Sequence, residues 1–330
     1  MSPSPFFFEL SGEHGSLCSA EALGCLRAEA PGFKTVSSGP GYLVALFEEN
    51  AVEPIAERIS LTRHIGRHLG SFDPGDLSGL SGICIPEGTF SVRCRRFEGM
   101  MKEIDSQDLV RKLGRELSVT NDVKLKDPDI EIRVLMSDMI HIFISQRAVD
   151  RESLENRKVS ERPFFSPISL HPKYARALIN LTGAKKGDVL LDPFCGTGGI
   201  VIEAASMGMR AVASDFDPEM IAGTRENMDF FDLDLEDSDV LDISDIGRRF
   251  GSVDIVATDP PYGRSTKTGG EKIDSIYARA VRSFGEVLRP GGTAGVVLPH
   301  ELDPSPLKME GLHVQRVHGS LSRYYHVLRN

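Results

Sequence analysis

At 330 residues, with a formal charge of −10 and about 40% hydrophobic content, the chain is longer than one hydrophobic core usually supports and too acidic overall to bind nucleic acid indiscriminately. No apolar run is long enough to span a bilayer, and Phe6-Phe7-Phe8 is too short and too close to Glu9 for a secretory signal. A cytoplasmic, multidomain protein with no membrane partner is expected.

In chain order, a short strand over residues 6–10, a helical period over 19–29, a strand at 41–47 and a helix at 54–59 read as a small α+β module. An alternating strand follows at 89–96, then a capped amphipathic helix at 105–114, a Lys126-Asp127-Pro128-Asp129 turn, and paired strands at 130–136 and 139–144. Arg93, Arg95, Arg96, Lys102, Arg111, Lys112, Arg115, Lys124 and Lys126 gather here, while much of the acid lies between Asp229 and Asp245. The basic cluster fits a phosphate-facing patch, and equally fits solvated faces interleaved with Glu103, Asp105, Asp108 and Glu116. Residues 146–161 mix both signs and read as a charged, partly helical linker.

The second half has a different rhythm. A strand at 187–191 runs into Asp192-Pro193-Phe194-Cys195-Gly196-Thr197-Gly198-Gly199 and then a helix at 200–205. Such a glycine turn lets backbone approach a ligand, and the helix that follows offers N–H groups at a positive dipole end. The dinucleotide fingerprint spacing is not met cleanly, and no phosphate-loop Lys-Ser/Thr follows. A strand at 210–217 ends in Asp215 and Asp217, roughly twenty residues past the glycines, where an acidic side chain would meet ribose hydroxyls. Asp217-Pro218-Glu219 also reads as a helix start. Asp239 or Asp242, after the acidic stretch, offers a carboxylate to an adenine amine, or belongs to a solvated loop. A strand at 253–258, a loop at 264–270 able to close over substrate, a helix at 277–288, a strand at 293–298 and an antiparallel pair at 313–319 and 324–328 complete a doubly wound order.

Asp259-Pro260-Pro261-Tyr262 closes the 253–258 strand. An exocyclic base amine is a poor nucleophile because its lone pair is delocalised into the ring. Asp259 and the Pro260 carbonyl can each accept one N–H and reorient that lone pair. The prolines hold the turn rigid, and Tyr262 offers a flat face for a base. Taken alone, the tetrapeptide also fits an ordinary turn after a strand. Cys18, Cys25, Cys84, Cys94 and Cys195 form no Cys-x-x-Cys pair, and His171, His300, His313, His318 and His326 lack metal-ligand spacing. No disulfide framework and no metal are expected. Cys195 beside the glycines is read as a small buried side chain, not a nucleophile.

Asp192 to Gly199, Asp215, and Asp259 to Tyr262, in that order, resemble the Rossmann-like S-adenosylmethionine-dependent amino-methyltransferases. The lead-in from Arg162 to Lys173, and Gly263-Arg264-Ser265 after the tetrapeptide, resemble the archaeal and eukaryotic tRNA guanosine-N2 methyltransferases acting at position 10; Ser166 stands where most members carry His. The basic strand, capped helix, Lys-Asp-Pro-Asp turn and paired strands resemble a THUMP domain, the RNA-binding module of several tRNA-modifying enzymes.

These resemblances imply a class I methyltransferase fold, an α/β doubly wound, mostly parallel sheet with an antiparallel C-terminal pair, preceded by an α+β THUMP-containing domain. The implied domains are a ferredoxin-like module at 1–60, THUMP at 61–147, a linker at 148–165 and the methyltransferase domain at 166–330. The implied cofactor is S-adenosyl-L-methionine, near Phe165, Asp192, Phe194, Gly196, Thr197 and Gly198, with Asp215, Phe216 and Asp239 toward the adenosyl end. Asp259, Pro260, Pro261 and Tyr262 are the implied catalytic set; Arg93, Arg95, Arg96, Lys124 and Lys126 are candidates for RNA phosphate. The implied substrate is a tRNA guanosine, taking one or two methyl groups on N2. The same chemistry on adenine N6 or cytosine N4, or a non-catalytic RNA-binding scaffold, are the alternatives. A monomer acting on tRNA and not DNA is expected, with a small activating protein subunit as in eukaryotic relatives the further partner considered.

Overall fold

The alternating and glycine-punctuated segments resolve into two sheets, one in each of two units, in this computed structural model, which describes residues 2–166, 169–262, 271–319 and 321–330. The first unit holds the N-terminal stretch to Ala22, Ala30–Ala56 and Leu61–Val149; the second holds Leu23–Glu29, Glu57–Ser60 and the chain from Asp150 onward. Among the described residues no helix is long and apolar enough to cross a membrane.

In chain order, the first unit's elements are β1 (Ser4–Leu10), α1 (Gly15–Glu29), β2 (Lys34–Gly39), β3 (Tyr42–Phe47), α2 (Val52–Arg58), β4 (Thr62–Phe72), β5 (Thr89–Arg96), α3 (Ser106–Leu117), β6 (Asp122–Val123), β7 (Ile130–Met136) and β8 (Ile140–Ala148); the ends of α1 and α2 belong to the second unit. The eight strands form one sheet in the order β2-β3-β1-β4-β8-β7-β5-β6. Asp105 caps α3, accepting from the amides of Gln107 and Asp108, and Leu109, Leu113 and Leu117 bury one face of that helix against a core with Phe90, Ile132 and Val134.

The sequence pattern predicts no strand between residues 59 and 89, yet β4 runs eleven residues and pairs antiparallel with both β1 and β8. Its polar, glycine-interrupted sequence hides it. Gly66 is required by close approach: a Cβ there would meet the Ile144 carbonyl oxygen at 1.8 Å. The residues expected as separate modules at 1–60 and 61–147 therefore share one sheet, joined through β4.

The second unit follows with α4 (Glu152–Glu155), α5 (Pro172–Leu181), β9 (Val189–Asp192), α6 (Gly199–Ser206), β10 (Arg210–Asp215), α7 (Pro218–Phe230), β11 (Asp237–Val240), α8 (Ile246–Phe250), β12 (Val253–Thr258), α9 (Ile273–Val287), β13 (Leu288–Leu298), β14 (Lys308–His318) and β15 (Leu321–Arg329). Its seven-stranded sheet has the order β11-β10-β9-β12-β13-β15-β14. Pairings from β11 through β13 are parallel, and β15 runs antiparallel to both β13 and β14. The core packs Val281, Phe284 and Val287 of α9 on Val256, Ala294 and Val296 of the central strands.

Arg289-Pro290-Gly291-Gly292 is expected to separate a helix from a strand, but lies inside β13. There the register against β12 jumps from Leu288 opposite Val253 to Thr293 opposite Ile255, so the Pro-Gly-Gly run makes a bulge and not a linker. Strand order reverses beside β9, with β10 on one side and β12 on the other. Open parallel sheets bind ligands beyond the strand ends at such a switch point.

Candidate active site

Asp192 ends β9 and is 1% exposed. Its Oδ1 accepts from Thr258 Oγ1 at 2.7 Å and from the Phe194 amide at 3.2 Å. The chain then turns through Gly196 and Gly198, both in the left-handed region at φ +50° and +81°. A Cβ on Gly196 would meet nothing within 4 Å, whereas one on Gly198 would press on Thr224 Cγ2 at 3.0 Å, so Gly196 keeps space open and Gly198 admits α7. Thr224 in turn donates to the Gly196 carbonyl at 2.9 Å. Asp215, the end of β10, accepts from the Gly196 amide on Oδ2 at 3.1 Å and from the Asp217 amide on Oδ1 at 3.0 Å. Each oxygen keeps a second lone pair for a ligand hydroxyl.

On the other side of the switch point, Tyr262 donates its phenol to Asp259 Oδ1 at 2.6 Å, and Tyr277 of α9 donates to the Pro261 carbonyl at 2.8 Å. The turn is thus held by two phenols as well as by its prolines. Asp192, Phe194, Gly196, Thr197, Asp215 and Phe216 share one cavity of ≈ 390 Å³ with Asp259, Pro260, Pro261 and Tyr262. Ser166, Ser169, Glu219 and Met220 also face it, and Ser169 Oγ lies 3.1 Å from Thr197 Oγ1.

Five carboxyl groups line this cavity, Asp192, Asp215, Asp217, Glu219 and Asp259, and their chemistry asks for a cation. Burial pushes Asp192 up to about 7, against the hydrogen bonds from Thr258 and Phe194 and with Asp215 and Asp259 adding repulsion. Burial raises Asp215 too. It pushes Asp259 up to about 6, opposed by the Tyr262 hydrogen bond and the Arg323 charge. A ligand with a positive centre and several hydroxyls would relieve the first two, and an S-adenosyl group meets that description. Burial, then Asp192 and Asp215, push the Cys195 thiol well up, which leaves it a poor nucleophile.

The other expected site residues fall elsewhere. Phe165 is 63% exposed and is not among the cavity's lining residues. Nor is Asp239, whose Oδ2 accepts from Arg249 Nε at 2.7 Å. In the first unit, Arg93 donates to the Leu125 carbonyl at 3.0 Å, which brings it beside exposed Lys124 and Lys126. Arg95 and Arg96 are committed to the fold. Arg95 pairs with buried Glu9 at 2.9 Å and also donates to the Leu10 and Ser11 carbonyls, while Arg96 donates to those of Met100, Met101 and Ile104. Gly263, Arg264, Ser265 and the rest of the 264–270 loop lie outside the described residues, as do Pro167 and Ile168.

Thr258, Tyr277 and Arg323 support the site without a local motif to announce them. Asn227 is another: it donates to the Phe164 and Thr197 carbonyls at 2.7 and 2.8 Å and accepts from the Phe164 amide at 3.0 Å, binding the lead-in segment to the glycine turn.

The family model described as "UPF0020: RMKL-like, methyltransferase domain" matches residues 160–322. The tRNA (guanine(10)-N2)-dimethyltransferase of Methanothermobacter thermautotrophicus is 35% identical over 334 aligned positions, covering 97% of each chain. That of Pyrococcus abyssi is 34% identical, covering 87% of this chain and 89% of its own. The crystal structure of TrmN from Thermus thermophilus superposes with a TM-score of 0.54 at 23% identity, over 99% of both chains, a likeness of fold.

Proposed function

The chain belongs to the tRNA (guanine(10)-N2)-dimethyltransferase family, and from that membership we propose that it is an S-adenosyl-L-methionine-dependent enzyme that methylates the exocyclic N2 of guanosine 10 in tRNA. The observation that carries this reading is the placement of Asp259 and Pro260 on the same cavity as the glycine turn and Asp215. When bound, S-adenosyl-L-methionine supplies an electrophilic methyl group. Asp192, Gly196 and Thr197 would hold it at the glycine turn, with Asp215 taking hydroxyls and Phe216 offering a flat face. Gly198 serves the set by admitting α7 behind the turn, while Phe165 and Asp239, off the cavity's lining, are left out of it.

The guanine must leave its stack, because a paired and stacked amine is out of reach of the cavity. Tyr262 gives the base a face to pack on, and Asp259 and the Pro260 carbonyl each accept one N–H of N2. Held this way, the nitrogen lone pair points out of the conjugated plane, and alignment supplies most of the acceleration. Ionised, Asp259 presents acceptors alone to the amine, whereas its protonated form would also present a donor.

We assign residues 61–147 as the THUMP module that binds tRNA, 1–60 as the ferredoxin-like module, 148–165 as the linker and 166–330 as the methyltransferase domain. Arg93, Lys124 and Lys126 are the proposed phosphate contacts, with Arg95 and Arg96 shaping the surface that carries them. The enzyme is proposed to work as a cytoplasmic monomer. Mass spectrometry of nucleosides from tRNA incubated with purified protein and cofactor tests the reading. N2-methylguanosine or N2,N2-dimethylguanosine is expected, methylated adenosine would overturn the substrate, and product from the purified chain alone would dispense with an activating subunit.

A further inference from the structure

Tyr277 is 3% exposed on α9, and its ring belongs to the core that Val281 and Phe284 of the same helix share with Val256 and Leu298. Its phenol leaves that core and donates to the Pro261 carbonyl at 2.8 Å. Pro261 lines the cavity and Tyr277 does not, so the bond is made from outside it. Burial, with the charges of Asp259 and Asp274, pushes this phenol well above its ordinary value, and it stays a donor across neutral pH. The turn it meets has few soft torsions left. The rings fix φ of Pro260 and of Pro261, and a residue that precedes proline is steered to extended ψ, which covers Asp259 and Pro260. Pro261 precedes Tyr262 instead, so its ψ is the soft one, and that angle sets the direction of its carbonyl. Tyr277 pins it. The same ψ decides where Tyr262 goes, and Tyr262 donates its phenol to Asp259 Oδ1 at 2.6 Å.

We propose that Tyr277 is a positioning residue for methyl transfer: by holding the Pro261 carbonyl it seats the Tyr262 phenol on Asp259 Oδ1, and so aims the carboxylate and the Pro260 carbonyl together at the guanine amine. The inference rests on the functional reading above, and adds to it a residue that acts without touching the substrate. It supplies what the tetrapeptide lacks. Asp259-Pro260-Pro261-Tyr262 leaves one torsion unset by its own sequence, and a side chain anchored in the helix core sets it. Without the Tyr277 oxygen, Pro261 gains a range of ψ, Tyr262 drifts from Asp259, and the two acceptors no longer converge. The amine is then bound as before but aligned less often, which lowers the rate and spares the affinity.

The test is steady-state tRNA methylation by wild type, Tyr277→Phe, Tyr262→Phe and the double variant, with S-adenosylhomocysteine binding measured by calorimetry on each. Phenylalanine keeps the buried ring and removes the one oxygen. In Tyr277→Phe, kcat should fall about tenfold, the scale of one lost hydrogen bond, while KM for tRNA and S-adenosylhomocysteine affinity stay near wild type. Because Tyr277 acts through Tyr262, the double variant should be about as slow as Tyr262→Phe alone, a coupling that a merely structural loss would not show. An unchanged kcat in Tyr277→Phe, a loss confined to KM or to cofactor-product binding, or losses that multiply in the double variant each overturn the inference, while an active wild type leaves the functional reading standing. Should Tyr277→Phe not fold, Pro261→Gly frees the same carbonyl without touching α9 and must lower kcat with KM held; a wild-type kcat there overturns it equally. A wild-type protein that leaves guanosine unmethylated overturns both readings.

Discussion

Thr258 Oγ1 donates to Asp192 Oδ1 at 2.7 Å, tying the last residues of β12 and β9 together at the switch point of the sheet. The bond fixes the carboxylate that begins the glycine turn against the residue that precedes the amine-presenting turn. Asp192 is 1% exposed and titrates at about 7, above its ordinary 3.8. A carboxyl raised on folding favours the fold most at low pH. That contribution is complete below about 4 and is lost as pH rises through about 7. Asp192→Asn keeps an acceptor for Thr258 without the charge. In cofactor-free protein the variant should be more stable than wild type at pH 8, by on the order of 2 kcal/mol, with the difference shrinking toward pH 4. Urea melts of both proteins across that range measure it, and parallel curves would refute the assignment.

Asp259→Ala removes the acceptor for the amine and touches neither the glycine turn nor Asp215. Methyl transfer should fall by at least about 100-fold, the scale seen when one preorganised hydrogen-bonding group is lost from an active site. S-adenosylhomocysteine affinity should change little. In the wild type, activity should rise with pH through about 6, where the buried carboxyl ionises, and level off above it. Equal losses of binding and rate in the variant would contradict the division of roles between the two halves of the cavity.

The parts of this site that are legible in the sequence are those whose chemistry is carried by neighbouring residues. A turn that needs positive φ must use glycine, and a rigid turn that presents a carbonyl uses proline, so Gly196 and Pro260 declare themselves locally. Thr258 and Asp192 are 66 residues apart, and Asn227 meets Phe164 across 63. Those meetings are decided by strand order, which no short segment encodes. The same limit explains β4, whose polar residues and two glycines give no clean alternation, and Arg95 of β5, which reads as surface charge but is held by Glu9 of β1, with β4, β8 and β7 between them in the sheet order.

Gly223 lies on the face of α7 against which Phe164 rests. A Cβ there would stand 1.9 Å from Phe164 Cδ1 and 2.2 Å from Cε1, so the whole ring must move and not only its tip. Phe164 is also clasped by Asn227, whose amide reaches the Thr197 carbonyl of the glycine turn. Gly223→Ala should therefore cost about 1–3 kcal/mol through overpacking and weaken cofactor binding by displacing the lead-in segment. Asn227→Ala, which frees the same segment without a clash, should weaken binding with a different stability cost. Calorimetric titration with S-adenosylhomocysteine checks both, and wild-type affinity in the pair would show that the clasp does not reach the cavity.

The five basic residues expected to meet RNA should separate into two behaviours. Lys124 and Lys126 are exposed, and Arg93 binds the backbone between them through the Leu125 carbonyl. Their charges are free to meet phosphate, so Lys124→Ala and Lys126→Ala should each weaken tRNA binding and lower the dependence of log affinity on log salt by roughly one per contact, with stability unchanged. Arg95 is different because Glu9, 1% exposed, relies on it and on Arg133, each at 2.9 Å. Burial alone would raise the Glu9 carboxyl, yet the two guanidinium groups hold it below its ordinary value. Arg95→Ala strips one cation from a buried carboxylate, and should cost on the order of 3 kcal/mol of stability. Its tRNA affinity should fall only as far as the fold is lost, leaving the salt slope of the folded fraction near wild type. Filter binding across a salt series, paired with thermal melts, separates the classes; a reduced slope in a fully folded Arg95→Ala variant would place that arginine on the RNA after all.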